Sequence, residues 1–159
     1  MNPARRATAA DAGEVVRLAC VMFVSMGLDA PDDRWCANAR TQFTDRLPTD
    51  LVGAVVDDPD QPGRLAASAV VTVSTRLPTP TNPGGRCGYV QWVATDEACR
   101  GRGFARAVMT TLLEWLDAND VGAIELHATA MGEPLYRSLG FWEGDGPPAL
   151  RRRAWDPPA

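Results

Sequence analysis

The chain has 159 residues, 45% of them hydrophobic and 23% charged, with a formal net charge of −4. That length carries one sizeable core and is too short for two ordinary domains, while the acidic balance argues against nucleic acid as the main partner. No apolar run reaches the length of a bilayer span, and Met1 to Ala10 lacks the apolar stretch of a signal peptide. Four cysteines (Cys20, Cys36, Cys87, Cys99) form no Cys-x-x-Cys pair, and the one histidine is remote, so no zinc site is expected. Scattered cysteines without a secretory signal point to reduced thiols and a cytoplasmic location. There is no lysine, so arginine supplies every basic side chain.

In chain order, Arg5 to Ala9 reads as a short first strand. Asp11 with Glu14 three residues on resembles a helix capping box. Val15, Leu18, Ala19, Met22, Phe23 and Met26 then recur at helical spacing, and the helix ends near Gly27. A second helix begins after Pro31 with Asp32 or Asp33 as cap. It places Trp35, Ala39, Phe43 and Leu47 on one stripe, and Pro48 stops it. Leu51 to Val56 and Leu65 to Ser74 read as antiparallel strands joined by the Asp/Pro/Gly loop between them. Leu77 to Arg86, with three prolines and two glycines, is a loop. A strand over Gly88 to Thr95 comes next, then an Arg/Gly turn and a helix from Phe104 to about Ala118. Ile124 to Thr129 is a further strand, a short helix starts at Glu133-Pro134, and Ala149 to Arg153 is a last strand. The whole is a single domain over 1–159, a mixed α/β sheet with an α+β flavour.

The densest chemical signal is the turn from Arg100 to Arg106, entered from a strand and opening straight into an amphipathic helix. A helix N-terminus presents unpaired N–H groups and the positive end of its dipole. Glycines let a ligand approach the backbone, and arginine adds charge-assisted bonds to phosphate oxygens. Such a turn is either a phosphate site or a plain surface turn. A Walker A loop is excluded by the missing lysine. The dinucleotide fingerprint fails because Arg106 stands where a third glycine would come after Gly101 and Gly103.

Arg100-x-x-Gly103-x-Ala105 is similar to the Arg/Gln-x-x-Gly-x-Gly/Ala signature of the GCN5-related N-acetyltransferases, and Leu135-Tyr136-Arg137-Ser138-Leu139-Gly140-Phe141 resembles the later Leu-Tyr-x-x-Leu-Gly-Phe element of that family. The resemblance covers about Gly88 to Phe141, with the intervening helix and strand at the family's spacing. It implies a mostly antiparallel mixed sheet flanked by helices, with the fourth and fifth strands splayed apart. It also implies an acetyl-CoA-dependent N-acetyltransferase acting on a primary amine of a small molecule or peptide, by direct attack in a ternary complex. No metal, nucleic-acid or membrane partner is implied, and a homodimer is compatible with it.

Carried over to this sequence, the backbone of Val93, Ala94 and Thr95 would pair with the pantetheine amides. The amides and side chains of Arg100, Gly101, Arg102, Gly103, Phe104, Ala105 and Arg106 would hold the pyrophosphate. Tyr136 would protonate the departing thiolate, with a packed structural tyrosine as the plain alternative. Thr129 stands where the family often carries an asparagine against the cofactor. The base stays unassigned. An amine of pKa about 10.4 is mostly protonated at pH 7, a deficit of roughly 4.6 kcal/mol, and the fourth strand offers Gln91 where many relatives carry Glu or Asp. If Val90, Trp92 and Ala94 share one face, Gln91 lies on the other with Val93 and Thr95 and can hold a water. His127 and Glu125 share a face of the fifth strand. Acceptor recognition would fall to Met26 to Asp45 and to Leu77 to Arg86. There Trp35, Asp32, Asp33 and Asp45 could bind a cationic amine, although acids near helix starts serve equally as caps. The rival readings are a non-catalytic acyl-CoA sensor and, least favoured by charge, a nucleic-acid binder using Arg100, Arg102, Arg106 and Arg151 to Arg153.

Overall fold

The computed structural model describes residues 2–153, in two compact units divided between His127 and Ala128. The larger unit holds five strands, β1 (Arg5–Arg6), β2 (Leu51–Asp57), β3 (Leu65–Thr75), β4 (Arg86–Thr95) and β5 (Ala123–Glu125). It also holds three helices, α1 (Ala12–Ser25), α2 (Asp33–Arg46) and α3 (Phe104–Ala118), and the smaller unit carries α4 (Glu133–Ser138). The strands form one sheet in the order β1-β2-β3-β4-β5, antiparallel up to β4, with β4 and β5 parallel. Helix α3 makes the crossover that a parallel pair requires.

β2 and β3 are central and read as near-continuous buried runs rather than alternating ones. Helices cover both faces of the sheet. Val15 and Leu18 of α1 and Phe43 of α2 form one cluster with Leu51, Val55 and Val70. On the other face, a Cβ at Gly88 would stand 3.2 Å from a Leu116 methyl of α3, so this strand position must stay small for helix and sheet to close. Among the described residues, no three metal-ligating side chains cluster and no helix is long and apolar enough to cross a membrane.

Three local expectations are corrected. The Asp11 carboxylate does not cap α1. It accepts from the Thr8 N–H at 2.7 Å and from Arg5, closing a tighter turn just upstream. The fifth strand ends at Glu125 instead of Thr129, because beyond Tyr89 it has no ladder partner on β4. Ala149 to Arg153 is not a strand. The segment comes after Pro147-Pro148, has Leu150 95% exposed, and buries no alternate face that would repay ordering it. Asp32, by contrast, does cap α2, accepting from the Trp35 N–H at 2.8 Å. Cys20 and Cys36 are free thiols with sulfurs 3.7 Å apart, and burial with the Cys36 hydrogen bond pushes the Cys20 thiol up to about 11.

One ionic cluster fastens α1 to the sheet end that carries the Arg/Gly turn. Arg17 donates to both Glu14 oxygens, to Asp96 at 2.7 Å and to the Leu65 carbonyl, while Glu14 accepts the Leu65 N–H. Asp96, the residue after β4, also takes the Ala98 N–H, and its own N–H bonds Ala66. The hydrogen bond from Arg17 holds the Asp96 carboxyl below its ordinary range. A depressed carboxylate pKa adds stability above its unfolded value and loses it as pH falls through the folded one. Asp96→Asn is therefore expected to cost about 1–2 kcal/mol at pH 7. The gap should narrow at a pH well below the ordinary carboxylate range, as the native carboxyl protonates too. Urea denaturation at both pH values measures it, and an equal deficit at both would detach the loss from the charge.

Candidate active site

The register of β3 on β4 breaks at one place. Ser68 faces Ala94 and Val70 faces Gln91, so a single β3 residue stands opposite Trp92 and Val93. This is a β-bulge, and Trp92 carries it in the left-handed region at φ 51. The bulge resets the side-chain alternation. Val90, two residues from Gly88, faces α3, whereas Gln91 and Trp92 both open toward α2 and Ala94 lies in the core cluster with α1 and α2. Val90, Trp92 and Ala94 therefore do not share one face, and Gln91 is not opposite Trp92, as unbroken alternation would require. On its other side β4 pairs with β5 only through Cys87 to Tyr89, so Val93, Ala94 and Thr95 have no β5 partner. The Ser68 hydroxyl, fully buried opposite Ala94, makes no hydrogen bond among the described residues.

Past Asp96 a single tight turn (Glu97–Cys99) leads to the Arg/Gly segment. Gly101 and Gly103 take φ 75 and 80, which only glycine adopts cheaply, and Gly103 is the N-cap of α3 with no side-chain cap bond. A Cβ at either glycine would meet nothing within 4 Å, so the space over the helix start is open. The arginines diverge. Arg100 lines a groove along α1 with Val21, Val24 and Ser25. Arg102 pairs with Asp60 at 3.0 Å while its guanidinium lies over the half-buried Phe104 ring at 5.0 Å. Ala105 is half-buried and Arg106 exposed. The Arg102–Asp60 pair is exposed, hence weak, and yields readily to a better anion.

Beside the bulge lies a pocket of about 220 Å³. Trp35, Asn38 and Gln42 of α2 form one wall, Gln91 and Trp92 of β4 the other, and Thr72 of β3 lies between them. The Trp35 and Trp92 rings are 5.9 Å apart, and Phe23 meets Trp35 edge-on at 5.6 Å. Trp35, Asn38, Gln42 and Arg46 recur every three or four residues, so a second stripe beside the apolar one is the signal by which this wall could have been found. Bulges leave no such mark, which is why the paired orientation of Gln91 and Trp92 is new.

In the smaller unit Gly132 lets two candidate groups come close. A Cβ there would sit 3.1 Å from the Tyr136 ring and 3.4 Å from the Thr129 hydroxyl. Thr129 Oγ1 accepts the Gly132 N–H at 3.2 Å, and Tyr136 stacks edge-on against Phe141. Burial raises the Tyr136 pKa, so its hydroxyl keeps its proton across the neutral range. The two residues considered for the base on the fifth strand separate: His127 lies beyond β5 with its ring against Tyr89, and Glu125 is bound by Arg76 at 3.0 Å.

The mixed sheet with its parted β4 and β5 is the architecture of solved acetyltransferases. The crystal structure, with acetyl-CoA, of a predicted acetyltransferase from Clostridium acetobutylicum superposes with TM-score 0.79 at 24% identity, covering 93% of this chain and 94% of that one. A GCN5-related N-acetyltransferase from Ralstonia eutropha gives 0.76 at 25% identity, over 93% and 97%. Residues 14–141 match the model of the acetyltransferase (GNAT) family, and the chain belongs to that family. The aminoglycoside 2'-N-acetyltransferase of Mycolicibacterium fortuitum is 40% identical over 70 residues, 43% of this chain but only 35% of that protein's length.

Because the space above Gly103 is open, substitution there is limited by backbone alone. Gly103→Ala is expected to cost about 1–2 kcal/mol, the left-handed penalty of an L-residue, measured by urea denaturation. A neutral result would mean that φ 80 is not held in solution.

Proposed function

We propose that the protein is a single acyltransferase domain that moves an acetyl group from acetyl-CoA to a primary amine of a small molecule or peptide. The observation that carries this is the combination of a β4 end that has no β5 partner with an open, glycine-capped α3 N-terminus only eight residues further on. One offers backbone amides and carbonyls to an extended amide chain, the other N–H groups and a positive dipole to phosphates. Val93, Ala94 and Thr95 would hold the pantetheine, and Arg100 through Arg106 the pyrophosphate, with Thr129 as a further cofactor contact. Bound acetyl-CoA supplies an activated acyl group on a thiol leaving group of pKa near 8.5.

The chain's own part is positioning and proton handling. Tyr136, kept protonated by burial, serves as the proton donor to the departing sulfur. Gln91 is uncharged and takes no proton, so it orients a water on the pocket wall that accepts the one leaving the amine. The sequence motifs include no evident nucleophile constellation, which accords with direct attack.

Gly103→Glu places a carboxylate over the α3 dipole and is expected to abolish CoA binding, read by calorimetry. Unchanged affinity would sink the phosphate site. Tyr136→Phe should lower kcat by about 10²-fold with CoA affinity unchanged, measured by thiol release against a broad amine panel. Acetyl-CoA binding with no CoA released by any amine would favour the sensor reading.

A further inference from the structure

We infer that the pocket beneath α2 selects its acceptor: a primary amine carrying one positive charge on a flat aromatic body, and not a polycation. The inference rests on the acetyl-transfer reading and names the substrate class of that same site. Gln91 and Trp92 immediately precede the open β4 stretch, and the bulge turns both into the pocket. The acceptor pocket and the thioester position are therefore neighbours along one strand.

The lining is aromatic and amide. Two indoles 5.9 Å apart and tilted 50° to one another line it, and Asn38, Gln42, Gln91 and Thr72 offer uncharged hydrogen-bonding groups. The one charged lining residue among those described is Arg46, whose guanidinium is already held by Asp50 at 2.9 Å. No carboxylate among the described residues lines the pocket. Asp32, a residue that could have met an ammonium, is engaged in capping α2.

An ammonium entering such a place has no counter-ion and can be compensated only by an indole face. One amine is accommodated in that way. Each further ammonium of a polyamine or aminocyclitol would lie unpaired, with Arg46 the nearest fixed charge in the lining, and such unpaired charges reject the wrong ligand. A flat ring against Trp35 and Trp92 gains burial and offset stacking at no electrostatic cost. The absence of a fixed carboxylate also lets the bound amine lose its proton more easily, which an attacking nucleophile needs.

The test compares 2-phenylethylamine and tryptamine with spermidine and kanamycin in thiol release from acetyl-CoA. The aromatic amines are expected to exceed the polycations in kcat/KM by about tenfold or more. Trp35→Leu should raise KM for tryptamine about fivefold while leaving KM for acetyl-CoA unchanged, with a melting curve confirming the fold. Gln42→Glu, a surface change that does not threaten folding, should shift preference toward spermidine. Preference for the polycations, or a Trp35→Leu variant with unaltered tryptamine KM, overturns the proposal. Quenching of tryptophan emission by 2-phenylethylamine in the presence of CoA separates the two readings. Saturable, Trp35-dependent quenching without turnover of any amine rejects acetyl transfer and keeps the pocket assignment. Turnover of polycations with no quenching rejects the pocket assignment and keeps acetyl transfer.

Discussion

The arrangement turns on one extra residue in β4. A regular antiparallel ladder would carry Gln91 and Trp92 to opposite faces and keep β4 flat against both neighbours. By opposing Trp92 and Val93 to a single residue of β3, the bulge brings Gln91 and Trp92 to one face and sharpens the local twist. The cost is a tryptophan at φ 51, a conformation worth of order 1–3 kcal/mol against it. That cost is offset by burial: the Trp92 ring packs on the core cluster and on Trp35. The same twist accompanies the early end of β5, whose pairing stops at Tyr89. The pocket on one face and the β4 edge left without a β5 partner therefore lie next to each other along one strand.

A defect of this kind works only if the chain beyond it is held still. The Arg17–Glu14–Asp96 cluster does so, because Asp96 lies between the end of β4 and the tight turn that leads into the glycines. Its charges are only partly exposed and share several bonds, so it is a network in which geometry matters more than any single pair. It also ties α1, and through the aromatic contact of Phe23 with Trp35 the wall of the pocket, to the turn proposed to hold phosphate. Rigid elements on both sides leave the open space over Gly101 and Gly103 as a built feature of the turn.

Periodicity made most of the frame legible. The stripes of α1, α2 and α3 and the β-branched runs of β2 and β3 stand where spacing predicts them, since each repeats long enough to bury one face. What failed to read were local competitions. Asp11 had three donors within reach, and the Thr8 N–H and Arg5 won over the start of α1. Ile124 to Thr129 alternates well as a sequence, yet strand length is set by a partner, and β4 withdraws its edge after three residues. The orientation of Gln91 and Trp92 could not be read because counting by twos assumes a ladder without bulges. The Arg/Gly turn was legible as the opening of an amphipathic helix, and α3 begins at Phe104 where the spacing predicts it.

The two halves of the candidate site treat charge in opposite ways, and this bears on why a chain with Gln91 in place of an acid need not be inactive. On the proposed reading, the α3 start would meet phosphates whose charge does not change during reaction, so the permanent dipole of the helix would serve binding. At the pocket, the proposed amine would have to shed its proton, and a fixed carboxylate would stabilise the protonated form it has to leave. A lining of indoles and carboxamides would instead hold the body of the proposed acceptor and leave its nitrogen without a counter-ion, which disfavours the protonated form. On that reading the surroundings of the nitrogen would remove part of the roughly 4.6 kcal/mol deficit of a free amine, and a water held by Gln91 would have less of the deficit to meet than in bulk solvent.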